Sequence, residues 1–557
     1  MFKSVIYLGI VFSCLSCVSS KPQLIYSPGK SNPTIISAVN TPEAGRAVKS
    51  LSTFFQERGI STSHQTAMNN GRNTNALFIF ETALSHPLGT KLGVDLSPLA
   101  GLRDEGHIIS STLWKGKPVI YVVGKTDSGI EAGVEYLKSK FICEVASKGY
   151  KVTSPDLKLV RNPFFKVREA TLCPTGRAFP KQPEVNYENW QDDQLKLYPE
   201  FLKACGFNSI QFMELITYHA KNKTWTGGYR NGIPKGKTID DIQHVLHTLM
   251  DATHNQGMRV SQYIWGSPPG DGNRWDDPKT RPARAEFYDE IARRYGKKVD
   301  HVITHWKDEG SEGGYETPLT ATMYMRDQFK KYNPAIEVTC DAWWNADLYK
   351  GISTEKFATR DIGIAIERWY DEKRADQIIN SGRKVGIWGW YLSDFEMTNG
   401  SKLYTKTLTK YFDSLPQKAS SQIDWISLEH CFHGLPMRIN MYLVGRKMWD
   451  PKESSEEIIK DYLASTYGID NLEHMRLVYE TVEEGQKEVR YGMVNKDKYP
   501  APDKSTFIKK VKAAQDALSR VKIKNGWKPN FTHVVSPEED IKNLRESLDE
   551  IEIRYSK

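Results

Sequence analysis

Short apolar runs rich in β-branched residues recur eight times between Phe165 and Leu435, at intervals of roughly 22 to 50 residues. They read FFKVREATL, FNSIQFMEL, GMRVSQYIW, DHVITHW, IEVTCDAWW, IGIAIERW, KVGIWGWYL and IDWISLEHC. Amphipathic segments such as DIQHVLHTLMDATHNQ and ARAEFYDEIARRYG lie between them. Eight strands joined by helical crossovers are the pattern of a (β/α)8 barrel. The sequence therefore predicts an α/β fold built on such a TIM barrel.

Each run changes character in the same direction, from apolar residues to charged or aromatic ones at its C-terminal end. The residues at these ends are Arg168, Glu169, Glu214, Trp265, Asp308, Glu309, Asp341, Trp343, Glu367, Trp369, Tyr391, Asp394 and Glu429. Active sites of such barrels are built at the carboxyl ends of the strands. The pattern predicts a functional site at this end of the barrel.

The remaining sequence divides into three further parts. Residues 22–162 alternate short strands with helices and predict a small α/β domain, whose last strand ends before Pro163. The barrel is predicted to span 163–440. Residues 441–557 are helical and charged in pattern, which predicts a C-terminal helical domain.

The N-terminal segment, 1–21, has the features of an export signal. Lys3 is followed by an apolar run that is too short for a membrane span. The sequence Leu15-Ser16-Cys17 resembles a bacterial lipobox, which implies lipidation at Cys17. The alternative is a plain secretory signal cleaved nearby. We therefore expect an exported protein. It is either a lipoprotein of the periplasm or outer membrane, which contacts the membrane only through its lipid anchor, or a secreted protein.

Composition narrows the classes of ligand. The formal net charge is +8, from 76 basic and 68 acidic residues spread along the chain, which favours anionic ligands without indicating nucleic acid. The five cysteines beyond the signal form no CxxC pair, and no pair of histidines near the predicted mouth has convincing metal spacing. We expect neither a metal nor a cofactor, and we expect buried free thiols.

Carboxylates and indoles around a barrel mouth are the groups that a sugar site needs. Pyranose faces stack on aromatic rings, while hydroxyls require anionic acceptors and Arg donors. Cleavage of a glycosidic bond requires an acid for the leaving oxygen and a second group for the anomeric carbon. Glu309 is the predicted general acid, and the adjacent Asp308 would raise its pKa by like-charge repulsion. The predicted substrate-binding residues are Arg168, Glu214, Trp265, Trp343, Trp369, Trp390, Tyr391 and Glu429.

The order of these residues resembles glycoside hydrolase family 20, the β-N-acetylhexosaminidases. In that pattern an Arg near the end of strand one binds sugar hydroxyls, as Arg168 would, and an Asp-Glu pair follows strand four. The resemblance implies that Tyr391 and Asp394 serve strand seven and that Glu429 binds hydroxyls from strand eight. The chain departs from the family in having THWK before the pair and Ser427 in place of a Trp.

The sequence KDEG after strand four also resembles family 67, the α-glucuronidases. There the Glu is the general acid, and acids after strands six and seven activate water. That resemblance implies Asp371 and either Asp394 or Glu396 in the second catalytic role. In both families a small α/β domain precedes the barrel, as NPFFKVREA and the region before it suggest here.

Three functions follow as hypotheses. The first is an exo-acting, α-glucuronidase-like hydrolase that removes acidic sugars from oligosaccharides or polysaccharides. It is favoured by the positive net charge of the chain and by four basic residues predicted near the mouth, Arg168, Arg177, Lys307 and Arg368. The alternatives are a hexosaminidase-like hydrolase and a catalytically silent barrel that only binds carbohydrate. A binder has no use for two adjacent acids, so Asp308 and Glu309 favour an enzyme.

Overall fold

The computed structural model of the chain describes most of its residues. They are 22–68, 74–172, 190–213, 216–227, 236–265, 274–305, 315–342, 347–352, 361–367, 369–392, 403, 405–430, 438–485, 503–531 and 536–557. Within those ranges, no helix combines the length and the apolar composition that a membrane span requires.

The described residues of the N-terminal sheet domain form nine strands in two sheets. The strands are β1 Gln23–Tyr26, β2 Thr34–Ser37, β3 Ser63–Gln65, β4 Leu77–Thr82, β5 His107–Trp114, β6 Lys117–Gly124, β7 Ile142–Ala146, β8 Gly149–Ser154 and β9 Lys158–Arg161. Six of them form a sheet in the order β3-β2-β4-β6-β5-β9. The other three form an antiparallel sheet in the order β1-β8-β7. The helices here are α1 Pro42–Gln56, α2 Pro87–Lys91 and α3 Asp127–Lys140, with a 3-10 turn at Ser97–Gly101. The predicted apolar face of α3, Ile130, Val134 and Leu137, is buried against this core.

The predicted eight-stranded barrel is confirmed. Its strands are β10 Val167–Leu172, β11 Ser209–Met213, β14 Arg259–Trp265, β15 His301–His305, β16 Glu337–Asp341, β17 Ile362–Glu367, β18 Val385–Leu392 and β19 Trp425–His430. They run parallel and close into a barrel in the order β10-β11-β14-β15-β16-β17-β18-β19. A hairpin that the sequence pattern did not predict, β12 Ile216–His219 and β13 Thr224–Gly227, follows β11.

Helices surround the barrel and carry apolar faces toward it. They are α4 Asp192–Cys205, α5 Ile239–Asn255, α6 Arg281–Tyr295, α7 Glu316–Lys330, α8 Leu348–Gly351, α9 Glu372–Asn380, α10 Thr405–Ser414, α11 Ala419–Gln422 and α12 Arg438–Trp449. Both faces of the barrel strands are buried, which explains why each strand reads as a nearly continuous apolar run. A single large core joins the outer strand faces to the helices.

The C-terminal helices pack on this core. They are α13 Ser455–Tyr467, α14 Leu472–Glu484, α15 Lys504–Arg520 and α16 Pro537–Ser556, with a 3-10 turn at Ile469–Asn471. The N-terminal sheet domain forms ion pairs with this region, from Lys140 to Asp461 on α13 and from Arg161 to Glu453 just before α13. The described cysteines, Cys143, Cys205 and Cys340, are buried free thiols as predicted.

Candidate active site

Alternate residues of the barrel strands face the barrel interior, where side chains from non-adjacent strands meet. The indole of Trp388 on β18 donates from Nε1 to Oε1 of Gln211 on β11 over 2.7 Å. The ring of Tyr263 on β14 stacks on that indole, with centroids 4.7 Å apart. Ile303 and Ala365 belong to the same apolar cluster. Trp388 is fully buried, which assigns it to the barrel core.

A polar layer lies nearer the N-terminal ends of the strands. The carboxylate of Glu169 accepts hydrogen bonds from Ser209 Oγ over 2.6 Å, Gln211 Nε2 over 2.6 Å and Ser261 Oγ over 2.5 Å. Burial raises the pKa of Glu169 although these donors oppose the shift, and burial lowers the pKa of His301 to about 3. This layer is a hydrogen-bonded floor under the interior apolar cluster.

The mouth end of strands four and five carries a buried polar pair. Nδ1 of His305, the last residue of β15, lies 2.9 Å from Oδ2 of Asp341, the last residue of β16. Both side chains are 0% exposed. The His305 ring packs against Tyr263 and Trp388, with centroids 5.4 and 6.2 Å away. The pair therefore stands on top of the interior aromatic cluster, where the active site of such a barrel is expected.

Two predicted site residues follow β17. Trp369 is 36% exposed and meets the ring of Tyr411 edge-on at 5.3 Å. Asp371 caps α9, because its Oδ1 accepts the backbone N–H of Arg374 over 3.0 Å, and it also pairs with the Arg374 side chain at 3.5 Å. Trp369 therefore offers an accessible aromatic surface, whereas Asp371 already has a structural role.

The other predicted site residues divide into two sets. Some lie on the described backbone at the ends of β14, β18 and β19, namely Trp265, Trp390, Tyr391 and Glu429. The others lie outside the described residues, and they are Cys17, Glu214, Asp308, Glu309, Trp343, Asp394 and Glu396. Asp308 and Glu309 follow β15 by three and four residues, so the pair comes soon after His305 ends the strand.

The prediction that Arg168 points into the mouth is wrong. Arg168 is the second residue of β10, and it donates from Nε to the Gly206 carbonyl over 2.7 Å and from Nη2 to Glu105 over 2.8 Å. Its guanidinium lies 4.5 Å from the ring of Trp449. Because side chains alternate along a strand, Arg168 faces outward while Glu169 faces inward. Arg168 joins the N-terminal sheet domain to the barrel at the end opposite to the mouth.

We therefore expect Arg168→Met to destabilise the fold by about 2–4 kcal/mol, because it removes the buried cation that pairs with Glu105 and one of the donors to the Gly206 carbonyl. Its kcat/KM should stay at the wild-type value for the folded protein. Urea unfolding together with steady-state kinetics checks both expectations, with the exposed Lys166→Met as the matched control. If the variant instead bound substrate more weakly and kept the wild-type stability, Arg168 would be a substrate-binding residue of the mouth.

A cavity of about 550 Å³ also lies at that opposite end, between the barrel and the N-terminal sheet domain. Cations in its wall pair with acids, as Lys203 does with Glu131 and Arg168 with Glu105. These ion pairs neutralise part of the charge in the cavity wall. In the described part of the chain, no cluster of three or more His, Cys, Asp or Glu side chains could hold a metal ion.

The sequence pattern placed Asp341 at a strand end, but it did not pair this residue with His305. It also did not single out Gln211 or Tyr263. The signal that could have found the pair was the two-residue alternation, which places 301, 303 and 305 on one face of β15 and 339 and 341 on one face of β16. The two strands pair with Thr304 opposite Cys340, and this register brings His305 next to Asp341.

Comparison with known proteins gives structural neighbours only. No protein-family model matches the chain, and no curated protein is detectably similar to it in sequence. The structure of CpGH84B superposes with a TM-score of 0.59 at 13% identity, over 97% of this chain and 89% of that one. A GH138 enzyme targeting pectin rhamnogalacturonan II gives 0.54 at 12% identity, over 94% and 68%. CpGH84D gives 0.55 at 11% identity, over 97% and 87%. At these identities the likeness establishes a shared fold.

Proposed function

We propose that this chain is an exo-acting glycoside hydrolase that removes terminal sugars, uronic or otherwise anionic, from oligosaccharides during polysaccharide or glycan breakdown. The observation that carries the proposal is the closed barrel whose strands end in acids and aromatic residues, with Asp308 and Glu309 closely following strand four. Sugar hydrolysis needs this combination of proton donors and stacking surfaces.

In this proposal Glu309 protonates the leaving oxygen, and Asp308 keeps its pKa high by repulsion. The second carboxylate acts on the opposite face of the sugar. Asp371 already caps α9, so Asp394 and Glu396 are the preferred candidates for activating water. An inverting reaction then requires roughly 6.5 to 9.5 Å between the two carboxyl groups to leave room for that water.

The structural neighbours support the reaction class, because GH84 and GH138 are glycoside hydrolase types that share this fold. A shared fold does not supply the substrate. The net charge of +8 is the reason for preferring an anionic sugar. The lipobox-like ending at Cys17 is the reason for placing the protein at the cell envelope.

The adjacent Asp-Glu pair also favours a second candidate, a β-N-acetylhexosaminidase-like hydrolase. There the 2-acetamido oxygen of the substrate would be the nucleophile, held by Asp308 with Tyr391 and Asp394. That reaction retains the anomeric configuration, whereas direct attack by water inverts it. The configuration of the first-formed product, read by NMR, therefore separates the two candidates.

Trp369→Ala should raise KM for oligosaccharides roughly 10-fold, because loss of a stacking surface at a sugar subsite costs about 1.4 kcal/mol. Its kcat should change little, since Trp369 is not proposed to touch the reacting atoms. Initial-rate kinetics check this, with Trp114→Ala in the N-terminal sheet domain as the control. Unchanged KM would remove Trp369 from the site.

The proposed function is tested by a panel of aryl glycosides that includes glucuronide, galacturonide, N-acetylhexosaminide, galactoside and fucoside. We expect turnover of a uronide above all others. Turnover of the N-acetylhexosaminide alone would favour the second candidate. If the chain binds sugars but hydrolyses neither the panel nor natural oligosaccharides, it is a catalytically silent barrel that only binds carbohydrate.

A further inference from the structure

The cavity of about 550 Å³ between the barrel and the N-terminal sheet domain is large enough for a small molecule. Ligand sites in proteins typically occupy about 300–1,000 Å³. Its wall includes the exposed residues Asp104, Lys166 and Ser421, so the cavity opens to solvent. It lies at the end of the barrel opposite to the mouth, and the reaction proposed above does not use it.

Two buried side chains of the cavity wall each have a polar atom without a hydrogen-bond partner in the described part of the chain. They are Nε2 of His107 on β5 and Nη1 of Arg161 on β9. The residues are 1% and, for the Arg161 side chain, 9% exposed. They lie opposite each other on paired antiparallel strands, so their side chains are neighbours on one face of the sheet. Because buried polar atoms are nearly always hydrogen-bonded, this pair indicates a further binding partner.

The two atoms have opposite hydrogen-bonding character. Nδ1 of His107 lies 3.0 Å from the backbone carbonyl oxygen of Glu105, which can only accept, so the proton of the neutral ring is on Nδ1. Burial and the nearby charge of Arg161 lower the pKa of His107 to about 3, so the ring is uncharged at neutral pH. Nε2 of His107 is therefore an acceptor, whereas Nη1 of Arg161 is a cationic donor.

The cations beside this pair outnumber the carboxylates that they contact. Arg161 and Arg446 share the carboxylate of Glu453, and Arg446 and Lys140 share that of Asp461. Among the described residues, three cations are thus matched by two carboxylates. An uncompensated buried charge is costly, so a bound anion would stabilise this cluster.

Both side chains are held in position by their neighbours. The guanidinium of Arg161 lies 3.8 Å from the ring centroid of Tyr136, and its Nη2 donates to Glu453 over 3.0 Å. The ring of His107 packs on that of Trp449, with centroids 5.4 Å apart. The donor and the acceptor are therefore ordered before a ligand arrives, which lowers the entropic cost of binding.

We propose that this end of the cavity binds a small hydroxylated carboxylate, such as a sugar acid. The ligand carboxylate accepts a charge-assisted hydrogen bond from Nη1 of Arg161, and a ligand hydroxyl donates to Nε2 of His107. The carboxylate also offsets the excess positive charge of the cluster. A water molecule would satisfy both atoms but would leave that charge uncompensated. The proposal does not depend on the reaction at the mouth.

Calorimetric titration with D-glucuronate and D-glucose tests the site, because the two sugars differ only in a carboxylate against a hydroxymethyl group. The wild-type chain should bind glucuronate at least about 10-fold more tightly than glucose. Arg161→Gln should weaken glucuronate binding about 10- to 100-fold and leave kcat/KM unchanged. His107→Phe keeps a ring but loses the acceptor, and it should weaken glucuronate binding about 10-fold. R161Q should fold, because it leaves two cations for two carboxylates.

The matched control is Arg520→Gln, which removes an exposed guanidinium from α15 and should leave glucuronate binding unchanged. Crystals of the wild-type chain soaked in glucuronate should show its carboxylate within hydrogen-bond distance of Arg161, which tests the site without any variant. Affinity that R161Q does not change but Trp369→Ala lowers would place the sugar acid at the mouth and overturn this proposal. Binding of inorganic phosphate but not of glucuronate, or no binding of either, would overturn it as well, and neither result would affect the proposed glycosidase activity.

Discussion

Glu309→Gln is expected to lower turnover of a natural oligosaccharide by roughly 100- to 10,000-fold, while sugar binding and the fold stay intact. The amide has nearly the same shape as the carboxyl but cannot donate the proton that a poor leaving oxygen needs. An activated aryl glycoside needs little help from an acid, so its hydrolysis should suffer much less. Comparison of kcat on the two substrates measures the effect.

The control for this experiment is Asp327→Asn, which removes an exposed carboxylate from the outer helix α7 and should leave both rates unchanged. Circular dichroism and thermal unfolding establish that E309Q is folded. Cleavage of the natural oligosaccharide by E309Q at the wild-type rate would show that Glu309 is not the acid and would return the role to another mouth carboxylate.

Asp540→Ala should be the most destabilising change outside the mouth. Arg438, at the start of α12, donates from Nη2 to both carboxylate oxygens of Asp540 on α16 over 2.8 Å, and the side chains are 3% and 0% exposed. Tyr467 donates to the same carboxylate over 3.0 Å. Burial disfavours the charge of Arg438, but Asp540 raises its pKa, so the guanidinium stays charged. Loss of the partner should lower the free energy of unfolding by about 3–5 kcal/mol.

The matched comparison is the double variant Arg438→Met, Asp540→Leu, which removes both charges and should be much closer to wild type. Urea unfolding of the three proteins gives the free energies. Equal stability of D540A and the double variant would show that the stranded charge of Arg438 is not the cause of the destabilisation. Since α12 follows the eighth barrel strand, D540A tests how the C-terminal helices brace the barrel.

The barrel could be predicted because its strands are buried on both faces. Such strands keep apolar residues at successive positions, so all eight stood out as runs such as VITH in β15 and IGIAI in β17. The β12–β13 hairpin was missed because its strands, ITYH and TWTG, are short and do not alternate clearly. Such short strands depend on tertiary contacts more than on local pattern.

The site was predicted less completely for a different reason. Arg168 was assigned to the C-terminal end of the first run, whereas the structure starts β10 at Val167 and so puts Arg168 near the N-terminal end of that strand. The His305–Asp341 pair depends on the register between β15 and β16, which a single sequence does not reveal. The sequence alone does not assign Trp388 to the barrel core, whereas its stacking on Tyr263 does.

The most direct measurement is the release of the terminal sugar from an oligosaccharide that carries a uronic acid at its non-reducing end and a label at its reducing end. The wild-type chain should shorten the labelled chain by one sugar, the first-formed uronic acid should have the inverted anomeric configuration, and E309Q should show almost no release. No release by the wild-type chain, or equal release by wild type and E309Q, would contradict the account.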